Sequence, residues 1–175
     1  MTIAIAEKIP STERHRTMNM LLAAASAALA AAAMLAVLRG RAHWGEVAPL
    51  VWAHIVSIVI ATSLTPVMLL WRKGNRRHRQ LGYVWVGAML LAAVTSLFFN
   101  TRATAGWGVF TGDFSPIHIL SGIVIIMVPR LVMYARVHNH HAHQRTVHGL
   151  VIGALLLAGF FTFPFDRMLG HWLFS

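Results

Sequence analysis

Cysteine is absent from this 175-residue chain, so disulfide frameworks, thiolate metal sites, iron–sulfur clusters and cysteine nucleophiles are excluded. Acids are scarce. There are five, Glu7, Glu13, Glu46, Asp113 and Asp166, and none has a close acidic neighbour in sequence. Paired-carboxylate catalysis therefore has little to be built from. There is no HExxH string and no serine–histidine–acid arrangement, which argues against a hydrolase. Charged residues make up 11%, against roughly 25% in soluble domains, too few to coat a water-exposed globule.

What remains is apolar. Hydrophobic residues make up 57% and the mean hydropathy is +0.64, which excludes a disordered chain. The length is that of one domain. Five long apolar runs stand out, at 18–38, 48–71, 81–99, 116–134 and 147–163. Each is close to the ~20 residues a helix needs to cross the hydrocarbon core. The second contains His54, and the fourth contains His118 and Arg130. The pattern predicts an all-α fold, a polytopic membrane bundle of five transmembrane helices. Its parts are an N-terminal segment (1–17), a first span with its outer loop (18–47) and a four-helix core (48–175). The first run is alanine-rich and follows Arg14-His15-Arg16, as a secretory signal would. It is longer than the h-region of about 7–15 residues such signals carry, which favours an uncleaved helix.

The charge of +10 could suggest a nucleic-acid partner, but its distribution is that of a topology signal. Arg72, Lys73, Arg76, Arg77 and Arg79 follow the second run. Arg136, Arg145 and five histidines follow the fourth, and Lys8, Arg14 and Arg16 precede the first. With five spans these three segments share one side. Arg39, Arg41, Arg102 and Arg167 lie on the other, with three of the five acids. The positive-inside rule places the N-terminus in the cytoplasm of a bacterial inner membrane and the C-terminus outside. Anionic lipid headgroups are the expected partner of the basic side. Trp44, Trp52, Trp71, Trp107 and Trp172 fall near expected helix ends, as an aromatic belt requires.

Spans two and three resemble spans four and five. His54 and Pro66 are 12 residues apart in one, and His118 and Pro129 are 11 apart in the other. Both end in basic loops, and the following spans open after His78 and His143. The core is thus expected to be two repeated hairpins with a site between them. Chance recurrence of proline and histidine at helix ends is the alternative.

The strings HRQLGYVWVGAML, FSPIHILS and HQRTVHGLVIGALLLAGFFTFPFDRMLG carry a resemblance. They look like the signature segments of a bacterial membrane-protein family, domain-of-unknown-function family 2306. The matching positions are His78-Arg79-Gln80-Leu81-Gly82, His118, His143-Gln144-Arg145 and Phe161-Thr162-Phe163-Pro164-Phe165-Asp166-Arg167. The likeness runs from about His54 to the C-terminus and leaves span one outside it. Gln144 stands where the family pattern suggests arginine, and Asp166 where glycine is usual. The resemblance implies a multi-span membrane protein and no established activity.

Ionisable groups inside spans are costly and usually functional. His54 and His118 lie near the outer face at similar depth, on helices running the same way. A pair of imidazoles on facing helices suits six-coordinate b-type haem. Ser57, at i+3 from His54, and Gly122, at i+4 from His118, keep the same faces small. At the inner face His78 with His143 or His148 could hold a second haem, the layout of two-haem transmembrane cytochromes b. Arg130 could meet an anion such as a haem propionate or a quinone oxygen, or snorkel to the surface. His138, His140, His141 and His143 suggest a divalent metal, but no carboxylate or cysteine in that loop completes a site.

The functional expectation is a membrane electron-transfer protein carrying haem b on His54 and His118, exchanging electrons with quinone or a larger membrane complex. The alternative is a cofactor-free accessory subunit or small carrier, in which the histidines are interfacial polar groups.

Overall fold

The computed structural model describes residues 11–99, 116–164 and 167–175. Helix α1 spans Ser11–Arg39. Its alanine content makes it an intrinsically good helix, and Glu13 in the first turn and Arg39 in the last suit the helix dipole. A 3₁₀ segment, Gly40–Glu46, turns the chain into α2, Pro49–Leu70. Pro49 opens α2 where a missing N–H costs nothing. Helices α3 (Arg76–Ser96) and α4 (Pro116–Arg136) follow. Helix α5 (His140–Leu150) continues through a π segment, Val151–Leu157, into the short α6, Ala158–Phe160. Helix α7, Met168–Phe174, ends the chain.

Among the described residues the protein is all-helical, with no strand. Three helical stretches are long and apolar enough to cross a membrane: His15–Glu46, Pro49–Leu70 and His118–Arg136. The other two expected spans are shorter in apolar length. Helix α3 spends its first turn on Arg76, Arg77, His78 and Arg79. The fifth is interrupted by the π segment, and α7, which no apolar run announced, follows the turn after α6.

The helices follow one another around the bundle. Helix α2 packs on α1 and α3, α4 packs on α3 and α5, and the π segment touches α1, α2 and α4. One core runs through all of them: Leu22 and Ala23 of α1, Ala61 and Leu69 of α2, Trp85 and Met89 of α3, Val128 of α4, and Val151 and Leu155 of the π segment. Helix α1 thus packs on the four-helix core. The Trp85 indole donates to Thr65 Oγ1 at 3.0 Å, tying α3 to α2 in mid-bundle.

The distribution of side chains is inverted relative to a soluble bundle. Leu21, Leu38, Val56, Val84, Ile126, Met133 and Phe160 face outward, while Ser26, Ser57, Thr62, Thr65, Thr95, Ser96 and Ser121 are buried. Small and hydroxyl residues at helix contacts with large apolar residues outside suit a hydrocarbon surround.

A second cluster closes one end. Leu169 and Trp172 of α7 pack on Ala36 and Ile55. A Cβ on Gly40 would overlap the Trp172 indole, so this close approach needs glycine. Trp172 is therefore buried under α1 and not part of an aromatic belt. Trp44 and Trp52 do pair at that end, edge to face with ring centroids 5.4 Å apart.

The two hairpins share their turns in detail. Pro66 and Pro129 lie inside α2 and α4. Gly74 (φ 83°) and His138 (φ 56°) are left-handed, and each is followed by an asparagine N-cap. Asn75 Oδ1 accepts from His78 N at 2.7 Å, and Asn139 Oδ1 accepts from Ala142 N at 3.0 Å. Each cap satisfies one of the unpaired N–H groups at a helix start.

Candidate functional site

Histidines gather in two layers, one toward each end of the bundle, called outer and inner after the orientation expected from the sequence.

In the outer layer, His54 of α2 reaches across to α3. Its Nδ1 lies 2.9 Å from the Ala92 carbonyl oxygen and 3.1 Å from Thr95 Oγ1. A carbonyl can only accept, so Nδ1 carries the proton and Nε2 keeps a lone pair. Thr95 Oγ1 donates to Leu91 O at 2.7 Å, which leaves its own lone pairs for His54. The ring is held further by Phe99, edge to face at 5.0 Å. One residue beyond Thr95, Ser96 Oγ bonds Ser121 Oγ of α4 at 2.6 Å. Ser121 shares a helix face with His118, one turn earlier, and His118 is buried.

Helix α3 is thus the spacer of this layer. Ala92, Thr95 and Ser96 sit on one face and bind α2 on one side and α4 on the other. Ser57 is buried and donates to Ala53 O at 2.6 Å. Around Gly122 a Cβ would meet nothing within 4 Å. Asp166 lies outside the described residues, as do Trp107 and the rest of the segment 100–115.

In the inner layer, His78 is the third residue of α3, ahead of the apolar stretch that begins at Leu81. Its Nδ1 is buried and has no hydrogen-bond partner. Burial, and after it the neighbouring His143 and Lys73, hold His78 below the usual histidine range. His143 Nδ1 donates to the Leu131 carbonyl of α4 at 3.2 Å. His148 turns elsewhere: its Nε2 lies 2.7 Å from Asn19 Oδ1 of α1. Of the two candidates left open by the sequence, His143 is therefore the one beside His78, and His148 ties α5 to α1.

Arg130 is exposed on α4, in keeping with a side chain that snorkels. His138, His140 and His141 are exposed as well. Among the described residues no group of three or more histidines or acids is placed to hold a metal ion.

Depressions mark the surface among the described residues. One, of about 420 Å³, lies between α2 and α3 and is lined by Trp52, Val56, Ser57, Val84, Gly87 and Leu91 among others. Another, of about 720 Å³, lies at the outer end beside His43, Glu46, His171 and Trp172. Neither is lined by His54 or His118.

Sequence reasoning missed Thr95, Ser96 and Ser121 in the outer layer and Asn19 in the inner one. Their signal was present, since each is a polar residue inside an otherwise apolar run. Compared with known proteins, the chain matches no family model, no curated protein and no solved structure.

Proposed function

We propose that this chain is a five-span protein of the bacterial inner membrane, with its N-terminus inside. In this proposal it binds b-type haem through His54 and His118 near the outer face and passes electrons, with a quinone or a larger membrane complex as exchange partner. One observation carries the functional part: His54 donates Nδ1–H to a fixed backbone carbonyl and keeps Nε2 for a ligand. Histidines that bind iron or other metals are commonly oriented in this way. The donor type suits the group, since imidazoles from separate helices ligate haem iron. Ser57 and the open space beside Gly122 keep bulk away from a flat macrocycle.

A haem held there supplies a one-electron iron couple. The protein's own part is positional. Ala92 and Thr95 set the His54 tautomer and ring plane. The Ser96–Ser121 bond fixes α4, and with it His118, against α3. The apolar core between the two layers excludes water.

The test is a spectrum. Full-length protein purified from haem-replete cells should show a Soret band that shifts on dithionite reduction. A colourless preparation overturns the haem assignment.

A cofactor-free accessory subunit is the second reading. It is favoured by the pairing within the bundle, since His54 bonds Ala92 and Thr95, and Ser96 bonds Ser121. It expects unchanged behaviour on replacing His54 and His118, and co-purification with a larger complex in mild detergent.

The membrane placement rests on the outward apolar surface and on the basic turns after α2 and α4. Arg72, Lys73, Arg76, Arg77 and Arg79 are all exposed in or beside one short turn, where positive charge is most decisive for orientation. With no native cysteine, labelling is direct. Gly45→Cys should react with an impermeant thiol reagent in intact cells, and Arg77→Cys only after lysis. The reverse pattern would put the His54 layer on the cytoplasmic side.

A further inference from the structure

The depression of about 720 Å³ at the outer end is assembled from stretches far apart in sequence. His43 and Glu46 come from the 3₁₀ segment, Ala48 and Val51 from the start of α2, and His171 and Trp172 from α7. Helix α7 is fixed in place by several contacts. Trp172 lies so close to Gly40 that a Cβ there would overlap the indole, Leu169 and Trp172 pack on Ala36 and Ile55, and Arg39 donates to the Leu173 carbonyl. The depression is therefore preformed. Its volume falls in the range of small-molecule sites, about 300–1,000 Å³.

The lining is of two kinds. Val51, Met168 and Trp172 give an apolar surface, and His43, Glu46 and His171 give polar groups. Charge narrows the ligand. Among the described residues no lysine or arginine lines the depression, so an anion has no cation to meet there. Glu46 is the one acidic side chain in the lining, and its carboxylate already stands 3.7 Å from His43 Nδ1. A neutral ligand with an apolar body and a few oxygens suits such a lining best. A neutral imidazole carries one donor and one acceptor nitrogen. It can donate to a quinone carbonyl or accept from a quinol hydroxyl, so imidazoles from two elements can hold either form. His54 lies three residues beyond Val51 on α2, a rise of about 4.5 Å along the axis.

We propose that this depression is the docking site of a quinone headgroup. The imidazoles of His43 and His171 meet its oxygens, and Trp172 and Met168 supply the apolar surface for its ring. This locates the exchange partner of the functional reading above. It rests on the quinone in that reading and not on the haem.

A photoreactive azidoquinone, offered to the full-length chain in detergent and mapped by peptide mass spectrometry, tests this. Label should fall on the 3₁₀ segment, the start of α2 and α7, and excess unmodified quinone should remove it. Ala48→Trp fills the depression from an exposed position and should abolish the label. His43→Leu and His171→Leu should each weaken the competition by about 2–10-fold, the loss of one hydrogen bond. Val84→Trp crowds the separate depression between α2 and α3 and should leave the label unchanged. Thermal melting of each variant checks that it is folded. Competable label confined to another part of the chain, or wild-type labelling of Ala48→Trp, overturns the site while leaving a quinone partner in place. The absence of any competable label overturns the site and the quinone partner together, whatever the colour of the protein.

Discussion

His118→Ala should purify colourless, its Soret band lost entirely, while wild type prepared alongside it is red. A haem held by His54 and His118 would lose one of its two protein ligands, leaving a single ligand to hold a large apolar group in competition with lipid. His54→Ala should behave in the same way. Thr95→Val should be milder, because the Ala92 carbonyl still accepts from His54 Nδ1 after the hydroxyl is gone. His118 is buried, so alanine also leaves a void. His118→Met separates the two effects. It nearly restores the volume and offers a thioether to iron, so it should keep a band with a raised reduction potential. Loss of colour in His118→Ala, with retention in His118→Met, speaks for ligation. A wild-type spectrum in His118→Ala excludes that residue as a ligand.

The second large effect is structural. Trp85→Ala should destabilise the bundle by about 3–5 kcal/mol, the range for truncating a buried aromatic side chain. Trp85 is 5% exposed and belongs to the central core with Met89, Val128 and Leu155. The cost is mostly that of the cavity, because Thr65 Oγ1 keeps its own bond to Ala61 O at 2.8 Å when the indole is gone. Trp85→Phe should lose only about 1 kcal/mol, keeping most of the volume and forfeiting the Nε1–H bond to Thr65. Unfolding in a denaturing-detergent titration, read by far-UV circular dichroism, compares the three proteins. Equal stability of Trp85→Ala and wild type would mean that the packing around α3 is wrongly described.

Much of the architecture was legible because apolar length is a crude but strong signal. The runs at 18–38, 48–71 and 116–134 correspond to α1, α2 and α4. The recurring proline and histidine pattern pointed to two similar hairpins, and the left-handed residue before each asparagine cap adds a likeness that residue type alone concealed, since one position is glycine and the other histidine. Helix α7 was not legible. It is short, and what holds it is the fit of Trp172 onto Gly40, a contact between residues far apart in sequence. The π segment was equally silent, because Val151–Leu157 reads as an ordinary apolar run.

The site was legible by residue type and not by partner. His54 and His118 stood out as ionisable groups in apolar surroundings. That His54 is oriented by a backbone carbonyl of α3 could not be read from composition, since a carbonyl is present at every position. The choice between His143 and His148 needed three dimensions too. It turns on Leu131 and Asn19, which lie on different helices from α5.

The most direct measurement is the haem content of the purified full-length chain, taken as a pyridine haemochrome against protein concentration. One b-type haem per chain is expected, held by the outer pair. Two haems per chain would contradict a single outer site and give the inner histidines to iron as well. No haem, from cells with haem to spare, would contradict the central claim and leave a cofactor-free membrane bundle.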